Sequence, residues 1–553
     1  MKLTLNRPET VAAPPPLPEL PSLASDVQVH EPAADGAPWI VQFGAQRYLR
    51  VGAGMARLLR LADGAHTAGD IADELGGPWT AELVHEGLLR AQRMQLLEGA
   101  ERQPAKNRRF AYVPPLTFQF TLVRPDGLLS RLRPFLARLA HRGWAVALTV
   151  VTVAGLLCLG VQAPAAWGAL GRPVSVSVLA VLVCLTYAGT VLHEMAHGMV
   201  LSHYGGRPNR MGVMLFYLTP AFFCDVTDGW RLPRSDQRVR IALAGITTQG
   251  VIGGLAGVAS AVVAATGGSP GVRDTLLLLA VTNYVSGAFN AIPFVKLDGY
   301  LALMSHLDIP HLRDRAMTDA RRLTARLLFG GRYERALPGV SWAPLFGLAC
   351  MIFPVYVVSM AFTVWRSVLE ALGLVGAAIV SCVLGYVLLR VYSGALRLVA
   401  EARAAGARSW RIALVSVAAL AAVAGTALGV SLPYTVSGGF VSEHGRVLFV
   451  ATGAADRAAI EEGATVRLER GGVLLHDPLG EATVASAEPV RITAPLSAFV
   501  PVRGLASLRV PASGIPLATR HLPADTTGLA SVSAGRRSLG TWLYLRYVAP
   551  FWR

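Results

Sequence analysis

Residues 186–206, TYAGTVLHEMAHGMVLSHYGG, form an almost wholly apolar stretch that carries His193, Glu194 and His197. On a helix, residues four apart share one face, so the two imidazoles can reach one metal ion. Ionisable groups are costly among apolar residues and are functional by default inside a membrane span. The spacing therefore predicts a zinc site, with Glu194 placed to act as a general base on water.

A second polar segment, NAIPFVKLDGY (290–300), offers a third ligand. A catalytic zinc site takes three protein ligands and keeps one open position. Asp298 is the candidate, because it follows a predicted span that ends at a depth similar to that of the histidine span. Asn290 lies eight residues earlier, and Pro293 should break the helix between them.

The two segments together resemble the site-2 protease family of intramembrane zinc metalloproteases. That family combines HExxH in one span with Asn-x-x-Pro followed by Leu-Asp-Gly in a later one. The resemblance covers about residues 174–300. It implies that His193, His197 and Asp298 bind Zn²⁺, that Glu194 is the base, and that Asn290 helps to hold the substrate or the oxyanion.

An intervening segment, ALAGITTQG (242–250), resembles the same family's Ala-Gly-Pro-Leu-Ala-Asn turn. Ile246 stands in place of the proline and Gln249 in place of the asparagine. The sequence assigns Gln249 no role.

Other polar residues near these motifs are expected to be structural. His203 is interpreted as an interfacial histidine. Asp225 and Asp228 are expected to cap a helix or to form hydrogen bonds that orient the metal ligands. We place the remaining candidates in loops: His306, Asp308 and His311.

The composition indicates a polytopic membrane protein. Of the 553 residues, 53% are hydrophobic and 16% charged, and the net charge is +16. In a membrane protein such a basic excess marks cytoplasmic loops, so nucleic acid is not expected as a partner. The five cysteines show no CxxC spacing, which argues against a disulfide framework or a thiolate zinc site.

Seven apolar segments are long enough to cross a bilayer. They are residues 143–163, 174–200, 240–266, 274–294, 342–365, 371–393 and 411–432.

Arginine clusters alternate with short, nearly uncharged loops and so predict the orientation. They precede the first span and follow the second, fourth and sixth, as at Arg131, Arg210, Arg321 and Arg403. The positive-inside rule then places the N-terminus in the cytoplasm and the C-terminal domain outside, in a bacterial plasma membrane.

Other predicted domains flank the membrane region, 143–432, on both sides. Before it we predict a disordered Pro-rich leader without a signal peptide (1–37), a small α/β domain (38–102) and a basic amphipathic linker (103–142). A small β-rich domain, 433–553, follows it, since turn residues separate alternating stretches there. Its aromatic end, WLYLRYVAPFWR, either packs into that domain or rests on the membrane surface.

One stretch interrupts the membrane pattern. RMGVMLFYLTPAFFCDVTDGW (210–230) is too broken for a span and rich in strand formers. We interpret it as a re-entrant or interfacial hairpin, covered by protein or lining a wet cavity.

Residues 38–99 contain two strand patterns and three short helices, with a turn at Asp63-Gly64 followed by HTAGDIADEL. This segment resembles PqqD-like domains, winged-helix modules that bind leader peptides of ribosomally made, modified peptides (RiPPs). A general winged helix is the alternative, and a DNA-binding role is disfavoured because no basic recognition helix is evident.

Together the two resemblances imply a PqqD-fused peptide zinc metalloprotease in RiPP maturation, of daptide type by association. The hypothesis is a zinc metallopeptidase that cleaves a leader-bearing precursor peptide by zinc-activated water attack. Two alternatives remain open at this point: regulated intramembrane proteolysis of a membrane-bound regulator, and a non-catalytic peptide exporter or immunity protein.

Overall fold

The computed structural model describes most of the chain and divides it into two compact units. The described residues are 17–32, 39–43, 47–98, 109–113, 117–129, 131, 134, 142–216, 219–443, 445–451, 460–472, 475–500, 502–505 and 507–552. The first unit comprises Met1–Leu139, Glu194–Phe216 and Pro220–Ala244, and the second comprises Ala140–His193, Tyr217–Thr219 and Gly245–Arg553.

The described helices, numbered along the chain, are as follows: α1 (Ala53–Leu61), α2 (Ala68–Leu75), α3 (Ala81–Arg93), α4 (Arg142–Val161), α5 (Ala163–Leu170), α6 (Val176–His203), α7 (Ser235–Ala265), α8 (Pro270–Asn290), α9 (Asp298–His306), α10 (Leu312–Phe329), α11 (Ala343–Ala371), α12 (Leu374–Ala404), α13 (Ser409–Gly429) and α14 (Leu539–Tyr547). Short 3₁₀ turns occur at Thr227–Arg231 and Leu496–Ala498.

The described strands are β1 (Val27–His30), β2 (Trp39–Phe43), β3 (Arg47–Val51), β4 (Phe110–Val113), β5 (Thr117–Val123), β6 (Val174–Ser175), β7 (Met211–Phe216), β8 (Thr219–Cys224), β9 (Ser431–Glu443), β10 (Arg446–Ala451), β11 (Thr465–Gly471), β12 (His476–Val484), β13 (Val490–Pro495), β14 (Val502–Arg503), β15 (Arg509–Ala518) and β16 (Thr527–Ser538).

The N-terminal domain pairs a three-stranded antiparallel sheet, β1-β2-β3, with helices α1 to α3. The two strands and three helices predicted within 38–99 are present as β2, β3 and α1 to α3. A capping box starts α2: Thr67 Oγ1 accepts from the Asp70 amide, and Asp70 accepts from the Thr67 amide. Apolar residues from both layers form one buried core, including Val41, Leu58, Ile71, Val84, Leu88 and Leu97.

The predicted boundary of this domain needs correction. The sequence analysis assigned residues 1–37 to a disordered leader, but β1 lies in that range and pairs with β2. Ser22 and Leu23 also form bridges to Asp63 and Leu97. A four-residue edge strand carries too short an alternation to be recognised without its partner. Residues 1–16 and 33–37 lie outside the described part of the chain.

The predicted linker contains two strands that the sequence analysis missed. β4 and β5, between residues 110 and 123, belong to a four-stranded sheet of order β4-β5-β7-β8. The two strand segments predicted at 210–230 are β7 and β8, and β5 pairs antiparallel with β7. That partner lies roughly ninety residues further along the chain, so local sequence gave no signal for the pairing. Residues 103–108, 114–116, 130, 132–133 and 135–141 of the predicted linker are not described.

Six described helices are long and apolar enough to cross a membrane, which supports a membrane protein. They are Gly143–Val161, Val176–His203, Ser235–Ala265, Ala343–Arg366, Leu374–Ala404 and Ser409–Gly429. The fourth predicted span corresponds to α8, which has 21 residues but is less apolar and is not among the six. The break predicted at Pro293 is confirmed, because α8 ends at Asn290 and α9 begins at Asp298.

Glycines allow α4 and α7 to pack with their backbones close together. A Cβ on Gly155 of α4 would overlap the backbone of Gly254, and one on Gly254 would lie 2.5 Å from the Val151 carbonyl oxygen. Tyr284 of α8 donates to the Thr152 carbonyl at 2.7 Å and so joins a third helix to the pair. Small residues of this kind are a common basis of helix packing in membranes.

The β-rich C-terminal domain predicted from residue 433 is present. Its sheet has the order β10-β9-β16-β11-β12-β15-β13, and a further pairing of β10 with β15 closes it. The closed sheet surrounds an apolar core that includes Val436, Phe440, Phe449, Val466 and Val532.

The aromatic C-terminal segment packs against protein. Trp542 and Leu545 of α14 contact the core of the closed sheet. Tyr547 lies 4.8 Å from Phe362 of α11, ring to ring, and its hydroxyl is 2.9 Å from the Ser359 hydroxyl. Helix α14 therefore connects the β-rich domain to a membrane-type helix of the same unit.

The glycine packing predicts contrasting effects for two alanine substitutions on α4. Gly155→Ala should destabilise the protein, since the new methyl group meets backbone that cannot yield. Gly160→Ala meets no atom within 4 Å and should be neutral or stabilising, as alanine is the better helix former by about 1 kcal/mol. Thermal unfolding of both variants in detergent measures the difference, and equal unfolding temperatures would contradict the packing argument.

A pH-dependent ion pair lies at the turn before α2. Asp63 accepts from the ring of His66 at 3.0 Å, and this hydrogen bond raises the pKa of His66. The bond from the Ala65 amide and the one from His66 lower the pKa of Asp63. Glu74, 3.7 Å away, and Asp70 also favour the protonated imidazole.

We expect the pKa of His66 to lie above the ordinary value of about 6.5 and to fall in Asp63→Asn. The stabilising effect is then complete below the ordinary value and is lost as pH rises through the raised pKa. Deuterium exchange at the imidazole C2 position, followed by peptide mass spectrometry, gives the pKa in the full chain. Asp73→Asn, at an exposed position on α2, is the control and should leave the pKa of His66 in place.

Candidate metal centre

Helix α6 carries the HExxH motif and fixes the relative positions of its three polar side chains. His193 and His197 lie one turn apart on a buried face of the helix, each 4% exposed. Glu194 follows His193 directly and is partly buried. Regular helical geometry in this stretch is what brings the two imidazoles onto one side.

A backbone carbonyl orients the second histidine. The Nδ1 atom of His197 lies 2.7 Å from the carbonyl oxygen of Ile241, in the first half of α7. An N–H at Nδ1 donating to that oxygen leaves Nε2 with its lone pair available. Metal-binding histidines commonly hold their second ring nitrogen in this way.

The first histidine faces the predicted third ligand. The Nε2 atom of His193 lies 3.0 Å from Oδ2 of Asp298, the first residue of α9. Gly299 allows this placement, because a Cβ there would overlap the carbonyl of Ala291 just after α8. The loop between the two helices is therefore tightly folded, and it returns Asp298 to a position close to the end of α8.

The three side chains form a group that fits zinc. One ligand atom from each of His193, His197 and Asp298 lies within 4.8 Å of the others. Among the described residues, this is the group of side chains that could hold a metal ion. Tetrahedral zinc with bonds of about 2.0–2.2 Å would place its ligands roughly 3.4 Å apart. Small shifts of the side chains would bring the three ligand atoms to that spacing. Two imidazoles and one carboxylate are ligands that suit zinc.

A second polar group lies at the end of α8. Asn290 Nδ2 donates to Oε1 of Gln249 on α7 at 3.1 Å, and Gln249 Nε2 donates to the hydroxyl of Ser286 at 2.6 Å. Asn290 and Gln249 lie in motifs recognised in the sequence, whereas Ser286 was not predicted to belong to this group. Its signal was the spacing of four residues from Asn290, which places both side chains on one face of α8.

The aspartates near the hairpin have structural roles. Asp225 accepts from the hydroxyl and amide of Thr227 at 2.6 and 3.2 Å, and from Arg210 at 3.3 Å. Asp228 accepts from the Arg207 amide at 2.7 Å and from Arg231 at 3.2 Å. Both carboxylates follow β8 and tie that segment to residues that precede β7.

The remaining candidate histidines lie outside the metal group. His203 is the last residue of α6, and its ring packs edge-on against Tyr204 at 5.0 Å. The other candidates lie at or next to the connection between α9 and α10, where Asp308 and His311 have φ angles of +52° and +55°. His306 is the last residue of α9, so its predicted placement in a loop was wrong, because the helix continues to its C-terminal end there.

Comparison with known proteins gives no relative from which function could be transferred. No family model, curated protein or solved structure matches the chain. The chemistry of this centre therefore has to be argued from its own geometry.

The geometry predicts how zinc content depends on single residues. Purified wild type and Glu194→Gln should each hold about one zinc ion per chain, because Glu194 is not among the three ligands. His193→Ala and Asp298→Ala should weaken zinc binding by more than about a hundredfold, since each removes a ligand. Elemental analysis after dialysis against graded chelator measures both quantities.

Asp225→Asn is the matched control for Asp298→Ala. It alters a carboxylate that the structure ties to Thr227 and Arg210, and zinc binding should persist. Loss of zinc in this variant with retention in Asp298→Ala would reverse the assignment of the third ligand.

Proposed function

We propose that this protein is an intramembrane zinc metallopeptidase that cleaves a leader-bearing, ribosomally made precursor peptide. The observation that carries the proposal is the approach of His193, His197 and Asp298 to within 4.8 Å on largely apolar helices. Glu194, next to the first ligand, supplies the base that peptide hydrolysis requires. Ionisable side chains inside a membrane carry a high free-energy cost of desolvation, and residues that are kept there generally have a function.

Each residue of the site has its own proposed role in peptide hydrolysis. Zinc bound by His193, His197 and Asp298 would supply Lewis acidity and lower the pKa of a water molecule toward about 7. Glu194 would take a proton from the attacking water and later deliver it to the leaving amine. The Ile241 carbonyl keeps the His197 ring turned toward the site. Asn290 contributes to holding the peptide.

The proposed topology includes α8 as a seventh span. Its lower apolar content follows from the polar side chains that it directs toward α7, among them Ser286 and Asn290. With seven spans the N-terminal domain is cytoplasmic and the β-rich domain is extracytoplasmic, as the arginine distribution indicates. The membrane is proposed to be the bacterial plasma membrane.

The substrate has to arrive extended, because a helix hides its amides in its own hydrogen bonds. Strands β7 and β8 are the candidates for holding it in that form. β7 already lies between β5 and β8, whereas β8 stands at the end of the strand order. We therefore assign edge addition of the peptide to β8, and Pro220 within it limits the pairing because proline has no N–H.

The N-terminal domain is proposed to capture the precursor's leader, as its resemblance to PqqD-like domains implies. Its three-stranded sheet and three helices enclose one buried apolar core. No nucleic-acid partner is proposed. The partners are the precursor peptide and the lipid bilayer.

A single substitution tests the proposed activity. Glu194→Gln should retain zinc but lose at least about a thousandfold in hydrolysis, since general base catalysis and nucleophile activation both fail. Mass spectrometry of peptides from producing cells that carry wild type or this variant measures the outcome. One mature peptide should disappear and a longer precursor should accumulate.

An unchanged peptide profile, with the variant folded and loaded with zinc, would contradict the proposal. Glu82→Gln, at an exposed position on α3, is a control that makes the same chemical change away from the site. It should leave the profile as in wild type.

A further inference from the structure

Three polar side chains form a continuous hydrogen-bonded chain between α7 and α8. Ser286 and Asn290 stand one turn apart on α8, and the Gln249 amide on α7 bridges them. Gln249 is 4% exposed, so water does not compete for its amide. In such surroundings each amide is held in one orientation by the partners that it meets.

The direction of the bonds fixes which end of the Asn290 amide is used. Asn290 Nδ2 donates to Gln249 Oε1, so the nitrogen end of the amide points toward α7. The carbonyl oxygen, Oδ1, is the other end of the same amide group and does not bond to Gln249. Among the described residues no hydrogen bond to Oδ1 is present. Asn290 can therefore offer the Oδ1 acceptor to a ligand, next to the second hydrogen of Nδ2.

Ser286 accepts the bond at the other end of this hydrogen-bonded chain. Gln249 Nε2 donates to the Ser286 hydroxyl at 2.6 Å, which commits Oε1 to receiving the bond from Asn290. In the reverse arrangement both amides would be turned, Ser286 would donate to Gln249, and Asn290 would present its N–H₂ group.

The position of Asn290 relates this amide to the metal centre. Asn290 is the last residue of α8, and the next residue, Ala291, packs its carbonyl against Gly299. Gly299 directly follows the ligand Asp298. A peptide bound at the zinc site would thus pass a side chain whose orientation Gln249 determines.

We infer that Gln249 is a positioning residue which, with Ser286, presents the Asn290 Oδ1 atom as an acceptor for a backbone N–H of an extended peptide. This inference rests on the proposed function. The Asn290 contact proposed here is acceptance from the peptide through Oδ1, in addition to the one N–H of Nδ2 that is donated to Gln249. Asn290 then contributes to binding of the peptide in the ground state as much as in the transition state.

The test measures peptide binding in a protein that cannot cleave. Zinc-loaded, full-length Glu194→Gln in detergent is titrated into fluorescein-labelled β-casein, an unfolded polypeptide, and anisotropy gives Kd. Adding Gln249→Met, which keeps length but removes both hydrogen bonds, should raise Kd about tenfold. Gln249→Glu keeps an acceptor oxygen toward Asn290 and should restore Kd to within about threefold.

Two further variants separate positioning from general loss of structure. Gln249→Met combined with Asn290→Ala should bind no more weakly than Asn290→Ala alone, because Gln249 acts through Asn290. Gln162→Met is the matched control: Gln162 Nε2 donates to Ser260 of α7 at 2.9 Å, an equivalent bond elsewhere on that helix. It should leave Kd unchanged.

Kinetics on the Glu194-containing protein complete the test. With labelled casein as substrate, Gln249→Met should raise KM about tenfold and leave kcat within about twofold. A fall in kcat at constant KM, additive effects of Gln249→Met and Asn290→Ala, or an unchanged Kd would each overturn the inference.

The two proposals fail differently. If cells with wild type and Glu194→Gln give the same peptide profile while the Kd pattern holds, proteolysis is wrong and the positioning role of Gln249 stands. If wild type cleaves casein and Gln249→Met behaves as Gln162→Met does, the activity stands and the role of Gln249 falls. If the reference protein binds no casein at all, the peptide-acceptor role is overturned directly.

Discussion

Two imidazoles and a carboxylate placed among apolar helices lose their hydration, and only close contact with one another or with a cation can offset that cost. The arrangement around α6 follows from this requirement. His197 is tied to the Ile241 carbonyl, and Asp298 is brought to 3.0 Å from His193 by the tight loop that follows α8. The same desolvation that makes these groups costly makes a bound cation more effective, because electrostatic interactions are stronger where water is scarce.

Helix packing in the second unit provides the rigid frame that this chemistry would need. Close contact at Gly155 and Gly254 brings α4 and α7 together, and the Tyr284 hydroxyl adds α8. Gln249 and Asn290 then meet at hydrogen-bonding distance between α7 and α8. A site built on packed helices holds its side chains more accurately than one on loops, and both polar groups described here lie on helices or directly beside them.

The proposed function assigns separate tasks to separate parts of the chain. A folded N-terminal module would recognise the precursor, β8 would hold it extended, and the zinc group with Glu194 would hydrolyse it. The amide of Asn290 adds a binding contact whose direction is set by Gln249 and Ser286. The closed C-terminal sheet is connected through α14 to α11, so it is an integral part of the second unit.

The sequence by itself determined the elements whose signals are local. The spacing of His193 and His197, the apolar spans, the break at Pro293 and the β-rich end all depend on residues close together along the chain. Tertiary structure alone decided the pairing of β4 and β5 with β7, the addition of β1 to the N-terminal sheet, and the contact of Ser286 with Gln249. It also decided the orientation of His197, since a backbone carbonyl such as that of Ile241 leaves no trace in residue type. Such contacts depend on which distant segments meet, and no local pattern encodes that.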